Sequence, residues 1–316
     1  MRAHLPTITP RLYARVALVA LVALTLIVLT GAAVRLTGSG LGCPDWPKCY
    51  GKAIAPLEIH AVIEYGNRLL SGLVGLAAIA AGALAFLRRP FRRDLAVLGV
   101  LLPLGVVGQA VLGGFTVRNH LAPGFVMGHF ALSMLILIAA ASLAWRARHE
   151  PGERPRATDR ICVWSVRALL PFGALTIFAG TAATAAGPHA GGRPHERIHR
   201  LDFYGSHTLD WAISSHGEVA AAFGVLAVLV WAIVHRRTRE PEVRRATTAL
   251  VALLAVQGAV GGLQYLLELP AEIVWVHVAL ACVTWLTVLW ATAAAGRLVP
   301  RAAVQPAEAA RVESMA

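Results

Sequence analysis

Charge is what this 316-residue sequence has least of. Only 15% of its residues are Asp, Glu, Lys or Arg, where a soluble globular domain carries about 25%. With 57% hydrophobic residues and a mean hydropathy of +0.63, that scarcity excludes an ordinary soluble fold. Acidic residues are the scarcer sign, 17 against 29 basic ones, leaving a formal net charge of +12. The excess does not mark a nucleic-acid binder, because no helix or loop combines basic residues with stackable aromatics. Nucleic acid is therefore not an expected partner. Cysteine is limited to four residues. Cys162 and Cys282 fall within or beside apolar segments and read as small buried hydrophobes. Cys43 and Cys49 share a Gly/Pro-rich loop, GLGCPDWPKCYG, and their chemistry depends on the compartment they face.

What the sequence does have is long apolar runs, with membrane lipid as their natural surroundings. Eight are visible, at about 16–34, 58–87, 95–117, 121–145, 168–186, 211–234, 246–267 and 273–296, each near the roughly 20 residues that a spanning helix needs. The first resembles a signal peptide, but its apolar core is too long and seven more runs follow. Basic residues cluster in alternate connections: twenty on the side of both termini, seven on the other, with Arg68 and Arg167 read as helix-end residues. The bias predicts a multi-pass protein of the cell's inner (plasma) membrane with both termini cytoplasmic. Cys43 and Cys49 then face the exterior, where a disulfide can form; two free thiols or a metal site are the alternatives.

An internal repeat organises the runs. Gln109-Ala-Val-Leu-Gly113-Gly114 is echoed by Gln257-Gly-Ala-Val-Gly261-Gly262, and His129 and His277 each follow their glutamine by twenty residues. Thr37-Gly-Ser-Gly40 matches Thr184-Ala-Ala-Gly187, and within two residues of the same offset Asn67 answers His216. The predicted fold is an all-α membrane protein of eight transmembrane helices. They form two tandem four-helix bundles related by a pseudo-two-fold axis along the membrane normal. Residues 1–145 make the first half, 146–160 a cytoplasmic linker, 161–300 the second half, and 301–316 a disordered tail.

Asn67, His129, His216 and His277 all fall in the outer half of their spans, about 6–14 Å in at 1.5 Å per residue. His216 and His277 stand at matched depth on repeat-related helices, a pattern that holds a haem between two axial imidazoles. Hydrogen-bonded packing is the alternative for either histidine alone. No third and fourth ligand stand near them at zinc spacing. Gln109 and Gln257 read as interhelical hydrogen-bond groups. Glu218 points away from His216, and His189, His195, His199 and His207 lie in a solvated or substrate-covering outer loop. In the second run His60, Glu64 and Asn67 share one face, and ionisable groups there mark a functional surface.

Together RLTGSGLGCPDWPKCYG after the first run, IEYGNR on the second, and His129, His216 and His277 resemble the haem A synthase family, most closely its actinobacterial type. The resemblance covers essentially the whole chain. It implies an oxidoreductase that turns the C8 methyl group of haem O into a formyl group, giving haem A for cytochrome oxidase. It further implies haem b on the iron ligands His216 and His277 as cofactor, and haem O as substrate near Asn67, Arg68 and His129. Glu64 would be the catalytic carboxylate and Cys43–Cys49 the family's outer cysteine pair. A haem O synthase would be a partner in the pathway, beside an electron donor that the residues do not name. The family's second-run motif reads Glu-x-x-His-Arg, whereas this chain carries Glu64-Tyr-Gly-Asn67-Arg68. The second half, with GPHAGG, lacks the cysteine pair that some relatives carry. Three roles for the Glu64–Arg68 stretch follow: proton transfer by Glu64, an Arg68–propionate pair, or an ion pair between Glu64 and Arg68 at i, i+4. The histidines alone fit a b-type membrane cytochrome passing electrons from quinol equally well. Two related halves also suit a transporter, although no run looks broken near the midplane.

Overall fold

The computed structural model describes residues 7–193, 196 and 198–299. His195 and the 301–316 tail therefore lie outside the described residues. The eight runs form eight helices: α1 (Pro10–Leu36), α2 (Ile59–Leu87), α3 (Arg93–Arg118), α4 (Pro123–Arg148), α5 (Arg160–Ala186), α6 (Thr208–Arg237), α7 (Pro241–Leu266) and α8 (Ala271–Ala294). All eight are long and apolar enough to cross a bilayer. The chain is a multi-pass membrane protein.

Capping residues set where several helices begin. The Thr9 side chain accepts from the Leu12 N–H, with Pro10 at the first helical position. Glu58 accepts from the Ala61 N–H at 3.0 Å and Asp159 from the Cys162 N–H at 3.1 Å. The Asp159 cap starts α5 well before its apolar run, so Arg167 is inside the helix and not at its end. Arg68 is likewise inside α2, because Glu58 caps that helix more than two turns earlier. Beyond the helices, the described residues include a two-residue parallel pair, Arg156–Ala157 (β1) with Arg297–Leu298 (β2), which ties the 149–159 connection to the end of α8.

Each set of four helices closes a ring by neighbour contact, α1–α2–α3–α4 and α5–α6–α7–α8. The two rings meet through α1 with α8, α4 with α5, and α4 with α8. That set is unchanged when α1 is exchanged with α5 and α4 with α8, as a two-fold relation requires. Tryptophans on α8 stitch the seam: Trp275 Nε1 donates to the Leu29 carbonyl at 3.0 Å, and Trp285 Nε1 to the Met134 carbonyl at 3.3 Å. Small residues allow the closest crossing within the first ring. A Cβ on Gly99 would stand 3.0 Å from the Ala81 carbonyl oxygen and 3.2 Å from the Gly82 Cα, so α2 and α3 meet almost backbone to backbone.

The two ends of the bundle differ in chemistry. At one end lie the disulfide loop after α1 and the long connection after α5. At the other, Arg88 is fully buried and pairs with Glu150, while Asp94 binds Arg92 and Arg154 at 3.0 and 2.6 Å.

The α2–α3 crossing gives a direct test. Gly99→Ala should lower stability by about 1–3 kcal/mol through overpacking. Gly72→Ala, whose new Cβ meets nothing within 4 Å, should leave it unchanged or slightly raised. Thermal unfolding in detergent measures both.

Candidate functional site

The repeat places its side chains at matched heights. Asn67 and His216 each stand eight residues after the first residue of α2 and α6. His129 and His277 each stand six residues after the first residue of α4 and α8. Gln109 and Gln257, on α3 and α7, both donate their amide Nε2 at 3.0 Å to a backbone carbonyl, that of His129 and of His277 respectively. The bond pins the helix turn that carries each histidine. In the first half Ser133 joins it, accepting from Gln109 at 2.8 Å.

In the second half the His216 and His277 rings face one another with centroids 6.2 Å apart and planes at 81°. Each ring rests on a glycine of a neighbouring helix. A Cβ on Gly180 would lie 3.1 Å from His216 Cε1, and one on Gly261 would lie 3.1 Å from His277 Cε1. Neither Nδ1 atom has a hydrogen-bond partner, although both are buried. Buried polar atoms are normally satisfied, so two orphans on facing imidazoles make the pair a candidate ligand site. Metal–imidazole bonds run about 2 Å and a ring centre lies roughly 1 Å behind its nitrogens, so two rings on one ion stand roughly 6 Å apart. The observed separation fits. Among the described residues no group of three or more His, Cys, Asp or Glu is placed to hold a metal ion. An ion held by this pair must bring its other ligands with it, as the iron of a haem does. Glu218 is exposed on another face of α6.

The first half carries one seated imidazole. A Cβ on Gly113 would stand 3.4 Å from His129 Cε1, and His129 Nδ1 is again buried without a partner. Asn67, on α2, is bound differently: the Thr30 hydroxyl of α1 donates to its Oδ1 at 2.8 Å. His60 is held away from that level, with its Nδ1 2.9 Å from the Ser39 hydroxyl.

Glu64 and Arg68 form the expected ion pair at 2.5 Å, and both also reach into the disulfide loop. Glu64 is buried and accepts the Cys43 N–H at 2.6 Å. Arg68 donates to the carbonyls of Asp45 and Lys48, each at 3.0 Å, and of Cys43 at 3.3 Å. Four of the five N–H donors of a guanidinium are thereby committed. The Arg68 side chain thus clamps the loop to α2.

The loop itself is closed by a Cys43–Cys49 disulfide, and both cysteines are fully buried. It lies so near α2 that a Cβ on Gly42 would fall 2.1 Å from the His60 carbonyl oxygen. Only glycine fits there. Asp45 accepts the Gly51 and Tyr50 N–H groups at 2.7 and 2.6 Å. These bonds, that from Gly51 first, hold its carboxyl below the ordinary Asp range. Trp46 packs on Gly114 at the end of α3. The connection after α5 locks against this loop: Gly40 N–H donates to the Gly191 carbonyl at 2.9 Å and Arg35 Nε to the His189 carbonyl at 2.9 Å. The His189 ring bonds the Leu269 carbonyl at 2.6 Å, so this histidine is a tie between connections and not a solvated side chain. His199 lines a cavity of about 600 Å³ with Tyr50, His120 and Arg193, and His207 ends the short 3-10 turn Gly205–His207.

Sequence reasoning missed Thr30 and Gly180. A lone threonine and a lone glycine in apolar runs carry no signal unless the two halves are aligned across α1 and α5.

The cytochrome oxidase assembly protein family, COX15-CtaA, matches residues 14–62 and 57–289, most of the chain. The chain belongs to that family. Members similar to it include a protein named Heme A synthase in Shewanella oneidensis, 27% identical over 82% of this chain and 89% of that protein. Another Heme A synthase, from Alkalihalophilus pseudofirmus, is 31% identical over 42% of this chain and 45% of its own length. A Thermus thermophilus protein named Protoheme IX farnesyltransferase is 30% identical over 83% of this chain. The chain spans only 45% of that protein, and 30% of a Halobacterium salinarum relative of the same name. Family membership and these names support a role in haem A biosynthesis.

The loop clamp generates two expectations. Arg68→Ala frees three loop carbonyls, so a water-soluble phosphine should reduce Cys43–Cys49 at least tenfold faster than in the parent chain, followed by thiol labelling. The folded pKa of Asp45 is the lowered one, so its contribution is complete above the ordinary carboxylate range. It is lost as pH falls through the lowered folded value. Asp45→Asn should flatten that acid limb in the pH dependence of phosphine reduction.

Proposed function

We propose that this chain is a haem A synthase, oxidising the C8 methyl group of haem O to a formyl group and so supplying haem A for cytochrome oxidase. The observation that carries the proposal is the His216–His277 pair, two seated imidazoles 6.2 Å apart whose buried Nδ1 atoms have no hydrogen-bond partner. The Shewanella relative named Heme A synthase supports it, because the alignment takes in 89% of that protein. The farnesyltransferase name weighs less, since more than half of the Thermus protein lies outside the match.

In this reading His216 and His277 would hold a resident haem b, which would supply one-electron transfer within the membrane. Gln257 fixes the α8 turn bearing His277, while Gly180 and Gly261 give the two rings room. The first half takes haem O as substrate, with His129 as its single imidazole and Gln109 and Ser133 pinning the turn that presents it. Asn67 faces the same level with its carbonyl oxygen already engaged by Thr30. Glu64 is the carboxyl nearest this site in sequence and depth, proposed for proton transfer or substrate positioning as well as for holding the loop. Arg68 serves the site indirectly, by holding the loop that covers it.

The substrate must come from an enzyme that prenylates haem, a haem O synthase, and the electrons from a donor outside this chain. The arginine asymmetry supports a plasma-membrane chain with its arginine-rich end and both termini on the cytoplasmic side. The disulfide end then faces outward, where a disulfide persists.

The decisive experiment is haem O-to-A conversion in cells that express this chain beside a haem O synthase, with extracted haems separated by chromatography. Haem A is the expected product. Haem b bound to the protein with no conversion would favour the b-type cytochrome instead. His216→Ala or His277→Ala should abolish the bis-imidazole spectrum of the purified protein and reduce conversion at least a hundredfold. Glu64→Gln separates two roles: lost conversion with haem content unchanged supports chemistry, and full conversion removes Glu64 from the mechanism.

A further inference from the structure

The two halves differ at one pair of facing positions, and the difference extends beyond the residue on α2 and α6. The register that sets Thr37–Gly40 against Thr184–Gly187 also sets Ala33 against Gly180 and Thr30 against Ile177. In the second half the three atoms nearest a Cβ on Gly180 all belong to the His216 imidazole: Cε1 at 3.1 Å, Nδ1 at 3.4 Å and Nε2 at 3.5 Å. Gly180 is thus a seat for that ring, and a methyl group there would press on it. In the first half the matching residue carries that methyl group, Ala33. One turn before it, the Thr30 hydroxyl donates to Asn67 Oδ1 at 2.8 Å. The second half has Ile177 at that place, with no hydroxyl to offer.

We infer that Thr30, Ala33 and Asn67 form one specificity-determining set that bars a second imidazole from the first half. The inference deepens the function proposed above and rests on it for the identity of the ligand. Its physical basis is independent: a ring placed at position 67 as His216 is placed would meet the Ala33 methyl, where His216 has the bare Cα of Gly180. The Thr30 hydroxyl and the Asn67 carbonyl oxygen are already paired with one another at 2.8 Å. A site with one imidazole releases its haem more readily than a site with two. The set therefore separates the halves by exchange rate, the first suited to a haem that arrives and leaves, the second to one that stays. It also means that Asn67 is not a ligand position vacated by a single substitution. The surrounding residues are fitted to the amide.

Three variants of the full chain test this: Asn67→His, Asn67→His with Ala33→Gly, and Gly180→Ala. Thermal unfolding in detergent reads packing without reference to haem. Asn67→His should lower Tm by several degrees, and adding Ala33→Gly should restore most of the loss. Pyridine-haemochrome content and carbon monoxide difference spectra read ligation. The double variant should raise low-spin haem from about one to about two per chain and lose carbon monoxide binding. Asn67→His alone should do neither, and Gly180→Ala should weaken or remove the low-spin signal of the second half. The inference is overturned if Asn67→His alone matches the double variant in both readouts, or if Gly180→Ala keeps the parent spectrum and Tm. A chain that purifies without haem in every form would refute the haem assignment of the second half. The Tm recovery on adding Ala33→Gly would still decide the packing set.

Discussion

A histidine ring inside a bundle of apolar helices needs room on the helix that faces it, and here that room is made by glycine. His129 lies against Gly113, His216 against Gly180 and His277 against Gly261. Without those glycines the rings would meet a neighbouring helix's Cβ at 3.1–3.4 Å, close enough that ring or helix must give by a few tenths of an ångström. Depth then follows from the backbone: Gln109 and Gln257 pin the carbonyls of His129 and His277 at the same 3.0 Å. Ring position, helix spacing and the height of the site in the membrane are consequences of one packing relation, repeated.

The disulfide end serves that relation from outside the apolar layer. A loop of this composition would present several unpaired carbonyls beside the membrane. The Arg68 guanidinium takes three of them, and Glu64 takes the Cys43 N–H. Charges inside a spanning helix are tolerated where they face protein and find partners, and here the partners are the covering loop itself. The connection after α5 adds backbone bonds from the other half, so the cover is shared by both rings of helices.

Duplication usually leaves two equivalent sites, and here the two have diverged. The glutamine anchors, the glycine under the α4 and α8 histidines, and the helix register are kept in both halves. The changes around the position on α2 and α6 are that Thr30, Ala33 and Asn67 stand for Ile177, Gly180 and His216. One half thereby offers two imidazoles and the other one.

Much of this was legible before any coordinates. Eight apolar runs, the arginine bias, the twenty-residue Gln–His spacing and the Asn67–His216 correspondence all lie along the chain, because a membrane span is defined by local composition and a repeat by identity at fixed offset. The Glu64–Arg68 pair was also readable, as an i, i+4 contact on one helix. What the chain order does not contain is which helix faces which. That the Arg68 donors go to the loop carbonyls, that His189 ties one connection to another, and that Gly180 and Thr30 address the two unlike members of the site depend on contacts between residues tens or hundreds of positions apart. Sequence by itself determined the spans, the repeat and the candidate ligands. Tertiary packing alone decided which of them face one another, because room for a side chain is a property of the opposing helix.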